Sequence, residues 1–165
     1  MRRIELASSL IQKWEGFKEK AYLCPAGVWT IGWGRTGKDV VPGTTTTRAG
    51  EVRWLDTRLR QDLSQLEKVV KLPVAWVSNP QVDEDKIWAA LLSLVYNIGI
   101  TNFKNSTLRT VLPSGNLDKI EAAWVVWNKG RVNGKLTVLK GLENRRADEV
   151  AYFRSALKNA TLNLS

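Results

Sequence analysis

WEGFKEKAYLCPAGVWTIGWGRTG, residues Trp14–Gly37, changes texture twice within a short span, and its reading decides the fold. Upstream, Ile4, Leu10, Ile11 and Trp14 recur at helical spacing, which predicts a helix over Arg3–Trp14 that stops at Gly16. Inside the stretch, β-prone Ala21–Leu23 and Val28–Ile31 alternate with Pro25, Gly27, Gly32, Gly34 and Gly37. Short extended pieces between turn residues predict a small twisted sheet. Downstream, Thr44–Thr47 offers N-caps for a long helix across Arg48–Leu72. The stripe Val52, Leu55, Leu59, Leu63, Leu66 and Val70 keeps the helical period, and Pro73 closes it.

Farther on, a polar turn at Ser78–Gln81 precedes Asp83, a candidate cap for a helix running to Gly99. Ile87, Trp88, Ala90, Leu91, Leu94, Val95 and Ile98 make that helix apolar nearly all round, as a central buried helix should be. Phe103–Leu112, Leu117–Lys129 and Leu142–Leu157 read as further helices, separated by Pro113-Ser114-Gly115 and by the Gly-rich stretch Gly130–Gly141. No internal repeat or low-complexity linker interrupts them. The expected architecture is α+β and mainly helical, in one domain. A small β-containing lobe covers about residues 15–47 and a connecting helix about 48–72. A larger helical lobe takes about 73–160 together with the N-terminal helix.

Composition narrows the chemistry. The 165 residues, 44% of them hydrophobic, suffice for a folded core and argue against disorder. The longest apolar run, around Ile87–Tyr96, is broken by Ser93 and is too short to span a bilayer, so stable membrane insertion is not expected. Met1–Leu10 carries two arginines and no apolar core of the secretory type. The formal charge of +9 favours a polyanionic partner, such as nucleic acid, an anionic membrane surface or an acidic cell wall. The basic residues are scattered, so a merely solubilising surface is the plain alternative. No nucleic-acid motif is present, and nucleic acid is not an expected partner. A single cysteine forms no intramolecular disulfide. With one Cys and no His, a transition-metal site is not expected. Acid–base chemistry must fall to carboxylates, the thiol, Tyr or Lys.

Glu15 stands at the end of the first helix between Trp14, Gly16 and Phe17. A carboxyl among aromatics loses hydration, the circumstance that suits a general acid, although a solvated Glu at a helix end is the bland reading. Its spacing to Cys24 and Thr30 is more specific. Glu15, eight residues, Cys24, five residues and Thr30 form a pattern that resembles the phage-type lysozymes (glycoside hydrolase family 24), whose signature is Glu, eight residues, Asp or Cys, five residues, Thr. TIGWGRTG resembles the family's TIGYGHTG turn. LVYNIG (Leu94–Gly99), NFKNSTL (Asn102–Leu108) and GLENRR (Gly141–Arg146) resemble further family motifs in the family's order. The resemblance covers about residues 10–157.

It implies a role for each matching residue. Glu15 matches the proton donor to the glycosidic oxygen. Cys24 holds the second catalytic position, usually Asp, and Thr30 matches the residue that holds the attacking water. Arg145 matches an arginine that pairs with and orients the acid, with Arg146 as the alternative if the register slips. The family's turn His is Arg35 here. A free thiol is only a few per cent ionised near pH 7, so Cys24 needs a neighbouring cation such as Arg35 or Lys20 to act as a base. Otherwise it is a small buried hydrophobe. Of the eight Trp, Trp14, Trp88 and Trp124 fall on apolar helix faces, whereas Trp29 and Trp33 lie in the sheet lobe. Asn97, Trp127, Tyr96 and Phe103 match positions near the family's cleft and are the expected substrate contacts.

The resemblance implies an endolysin that hydrolyses the β-1,4 bond between N-acetylmuramic acid and N-acetylglucosamine in peptidoglycan, causing host cell lysis, with no cofactor. It implies a monomer that waits in the host cytoplasm, is released by a holin and acts on the cell wall in the periplasm. Two rivals are a lytic transglycosylase on the same scaffold and a non-catalytic basic module that binds cell wall or nucleic acid. Thr30 at the water-holding position favours hydrolysis over transglycosylation.

Overall fold

The computed structural model describes residues 1–160. Helix α1 (Arg2–Trp14) buries Ile4, Ala7, Leu10 and Ile11. Trp14 is only partly buried; its indole donates to Asp148 at 2.8 Å. The helix ends where Glu15 turns extended, its amide still bonded to the Ile11 carbonyl. Strands β1 (Lys18–Leu23) and β2 (Trp29–Gly32) come next as an antiparallel hairpin, Tyr22 opposite Thr30 and Leu23 opposite Trp29. The loop after β2 is sewn to β1 by Ala21 and Thr46 amides donating to Thr44 and Glu19 carbonyls.

Helix α2 (Arg48–Val69) starts on the expected cap: the Thr47 hydroxyl accepts from the Gly50 amide at 3.1 Å. It stops three residues early. Val70 is already extended (φ −92, ψ 131), and Pro73 denies helical geometry to the residue before it. Leu55, Leu59, Leu63 and Leu66 form the buried face, but Val52 is 43% exposed and Glu51 takes the inward position.

After a single turn, α3 (Val74–Val77), helix α4 (Glu84–Ile98) runs through the core with Ile87–Val95 all buried. Asp83 caps it. α1, α2 and the last helix pack around it. The expected helix over Phe103–Leu112 is two, α5 (Ile100–Lys104) and α6 (Thr107–Val111). Ser106 separates them because its hydroxyl caps α6 through the Arg109 amide, the competition that short polar side chains offer helix interiors.

Helix α7 (Leu117–Val125) ends before Lys129. The Gly-rich stretch beyond it is not a plain loop. It is a second hairpin, β3 (Lys129–Val132) and β4 (Lys135–Val138), turned at Asn133 and Gly134 with φ of 51 and 77. Positive φ at both central residues is the tight-turn geometry that Asn-Gly favours. Helix α8 (Lys140–Leu157) is the last element among the described residues. The result is α+β, a small hairpin lobe beside a larger helical lobe, joined by α2.

Candidate active site

The junction of α1 and the first hairpin sets Glu15 at the edge of the helical lobe. Its Oε1 accepts from Arg145 Nη1 at 2.6 Å, and its side chain is 27% exposed. Oε2 lies 3.3 Å from where a Cβ on Gly34 would stand, and Gly34 has φ +80. Only glycine gives the carboxyl this close approach to the turn. Glu15 is therefore steered by a guanidinium, and is not sealed in an aromatic pocket as its flanks suggested.

Arg145 is held in turn. It is buried on α8, donating to Glu149 Oε1 at 3.3 Å and to the Ser93 carbonyl at 3.1 Å. Glu149 has no exposed surface and also accepts from the Ser93 hydroxyl at 2.8 Å, the Trp124 indole at 3.0 Å and Arg146 at 2.8 Å. Arg146 extends the network: Nη1 donates to Asn97 Oδ1 at 2.8 Å and to the Trp127 carbonyl at 3.1 Å. Burial depresses the Arg146 pKa, and the charge of Glu149 opposes that shift. The arginine pair thus divides its work: Arg145 orients Glu15, and Arg146 orients Asn97 and Trp127.

Glu149 is the hub that sequence reasoning missed. A signal existed. Extending the buried face Phe153, Ala156 and Leu157 of α8 toward its N-terminus lands on Glu149, Arg145 and Arg146. A carboxylate on a core face, three and four residues after two arginines, announces a buried ion-pair cluster.

Cys24 stands just after β1 at the mouth of the hairpin turn and is half-buried. Thr30 is buried on β2, its hydroxyl donating to the Val28 carbonyl at 2.9 Å. The Cys24 thiol is pulled below its ordinary range by hydrogen bonding to the Val28 backbone first, then to Ala26 and to Thr30, against some desolvation. Backbone donors, and not Arg35 or Lys20, favour its thiolate. Arg35 is spent elsewhere, on buried Glu51 at 2.8 Å and on Asp39. Tyr22 registers the cluster: burial, then the charges of Cys24 and Glu15, push its phenol up. Arg145 is thus brought onto Glu15; Cys24 and Thr30 share the first hairpin, and the charges of Glu15 and Cys24 both reach Tyr22.

The four expected substrate contacts separate. Asn97 and Trp127 share a cavity of about 500 Å³ with Ile98, Asn102, Val126, Lys129, Leu136 and Leu142. Tyr96 is turned the other way: its hydroxyl donates to the Trp33 carbonyl at 2.7 Å, tying α4 to the turn after β2. Burial, then the charge of Glu15, drive its pKa well above the usual phenol range. Phe103 is fully buried in the core, so its ring is not open to a glycan. Its NFKNSTL motif packs the helical lobe.

A carboxyl aimed by a buried arginine, set against a hairpin carrying a thiol and a hydroxyl on a two-lobed helical fold, defines a lysozyme-type glycosidase. Comparison with known proteins gives the family. Residues 12–149 match the family model described as phage lysozyme, and the chain belongs to that family. It is 38% identical over 151 residues to an endolysin of Acyrthosiphon pisum secondary endosymbiont phage 1, covering 89% of this chain and 94% of that one. It spans about half the length of the Bacillus phage endolysins that it also matches. The muramidase domain of SpmX from Asticaccaulis excentricus superposes with a TM-score of 0.75 at 27% identity, covering 89% of this chain and 93% of that one. An endolysin from Escherichia coli O157:H7 phage FAHEc1 superposes with a TM-score of 0.75 at 29% identity, covering 90% of each.

Proposed function

We propose that this chain is an endolysin whose Glu15 protonates the glycosidic oxygen between N-acetylmuramic acid and N-acetylglucosamine in peptidoglycan. The observation that carries the reading is the Arg145–Glu15 contact at 2.6 Å, made by an arginine that is itself buried and fixed. Arg145 engages Oε1 and leaves Oε2, beside the Cβ-less Gly34, to carry the proton. As the bond to the leaving sugar breaks, positive charge builds on the ring. Cys24, its thiolate favoured by backbone donors, stabilises that charge or takes a proton from water, and Thr30 holds the water. Asn97 and Trp127 bind the glycan, and Tyr96 is a positioning residue that fixes the lobes around it. The enzyme works as a monomer and waits in the host cytoplasm until a holin opens the membrane, then acts on the wall.

Digestion of purified walls tests the chemistry. New reducing ends are expected, with the anomeric configuration inverted if Cys24 or Thr30 activates water opposite Glu15. Anhydro-sugar ends would make the protein a transglycosylase, and retention would replace the assisted water by a covalent intermediate.

A further inference from the structure

The β3–β4 hairpin takes no part in holding Glu15, Cys24 or Thr30. Apart from Gly130, all its strand residues are exposed, on both faces. A two-stranded ribbon with no covered face is marginal in water, and this one has a composition ill-suited to water alone. Lys129–Leu139 contains no carboxylate. Val132, Leu136 and Val138 are 43%, 64% and 47% exposed. The register gives each cation an aliphatic partner: Lys129 faces Val138, Arg131 faces Leu136 and Lys135 faces Val132. The Arg131 guanidinium reaches back to the Gly134 carbonyl at 3.2 Å, which holds it at the tip. The Asn133-Gly134 turn makes that tip a preformed ribbon.

We propose that the β3–β4 tip is a peripheral docking site for an anionic lipid bilayer. Lys and Arg would meet the phosphate headgroups while the opposed Val and Leu side chains leave water at the acyl boundary. The aliphatic members of each pair select this partner over an anionic wall polymer. A hydrated polymer satisfies the cations but gives Val132 and Val138, which lie outside the Asn97–Trp127 cavity, nowhere to bury. The hairpin contains no aromatic residue on which a sugar ring would stack. Such docking lies on the surface and needs no spanning segment; among the described residues no helix is long and apolar enough to cross a membrane. Lys129 and Leu136 also line the Asn97–Trp127 cavity, whereas Arg131, Val132 and Lys135 at the tip lie outside it, so the tip can be tested apart from glycan binding.

Vesicle sedimentation of the full chain at low salt tests it, using phosphatidylglycerol–phosphatidylcholine vesicles against phosphatidylcholine alone. Binding to the anionic vesicles should be at least tenfold tighter and should weaken as salt rises. Arg131→Glu/Lys135→Glu and, separately, Val132→Ser should each lose at least tenfold of that binding, while hydrolysis of a soluble glycan oligomer stays unchanged and reports an intact fold. Lys68→Glu/Lys71→Glu makes the same change in net charge around the end of α2 and should stay within about threefold of wild type. Equal loss in both charge pairs would reduce the effect to overall charge and overturn the proposal. So would wild-type binding by the hairpin variants, absence of binding by the wild type, or a loss seen only on lipid-free anionic walls.

Discussion

The two hairpins of this protein, one closed by a longer loop through Gly27 and the other by the tight Asn133-Gly134 turn, have opposite fates. In β1–β2, one strand is turned inward: Thr30, Ile31 and Gly32 are buried, and Trp33 after them packs on Phe17 with ring centroids 5.0 Å apart. Gly32 lies so close to Glu51 that a Cβ would fall 2.4 Å from its carboxylate. Glu51 in turn grips Arg35 and accepts from Thr46 at 2.8 Å. That hairpin is clamped to α2 from beneath, and Cys24 and Thr30 inherit its rigidity. In β3–β4 no such clamp exists and the side chains face water. Burial of one face makes a hairpin a platform for chemistry. A hairpin left bare on both faces is free to read a surface.

The largest break in this contrast is at the residue that the first hairpin faces. Glu15→Gln should lower wall clearing by at least 10²-fold with circular dichroism unchanged, since a positioned acid contributes about 10²–10⁴-fold. A folded Gln variant that keeps more than about a tenth of the activity would remove Glu15 from its role. Next comes the thiol. Cys24→Ala should lose most activity, and Cys24→Asp should keep activity and hold it to lower pH, because a carboxylate ionises near 3.9. In the wild type, activity should climb with pH through an ionisation below the ordinary thiol range, the direction that the Val28 hydrogen bond dictates. An active Ala variant would return Cys24 to the status of a packing residue.

Clamping itself can be measured. Glu51→Gln removes the buried charge partner of Arg35, leaving it only the exposed Asp39, and should cost up to roughly 3–5 kcal/mol of stability, the usual result of breaking a buried ion pair from one side. Denaturant unfolding reads it directly, and a change below about 1 kcal/mol would show that the platform is held by packing alone. At the small end, Gly134→Ala strains the turn of the second hairpin, where φ is 77. Since that hairpin opens without disturbing the core, the thermal midpoint should move by less than about 4 °C. A larger shift would mean that β3–β4 is coupled to the helical lobe after all.

Sequence alone settled much of this molecule. Periodicity located α1, α2, α4 and α8, because each buries an apolar stripe whose spacing is written along the chain. The spacing of Glu15, Cys24 and Thr30 pointed to the candidate site, since all three lie on consecutive local elements whose geometry is set by nearby turns. Tertiary structure decided the rest. The second hairpin was overlooked although Asn133-Gly134 and the alternation of Lys135–Val138 could have signalled it; its side chains, exposed on both faces, mark no buried stripe. Phe103 looked like a cleft residue, although only the packing of α5 against the core shows that its ring is enclosed. The Glu149 hub joins α4, α7 and α8 through Ser93, Trp124, Arg145 and Arg146. A charge is stable in a core only where several distant donors converge on it, and convergence of distant segments is a property of the fold that no local pattern records.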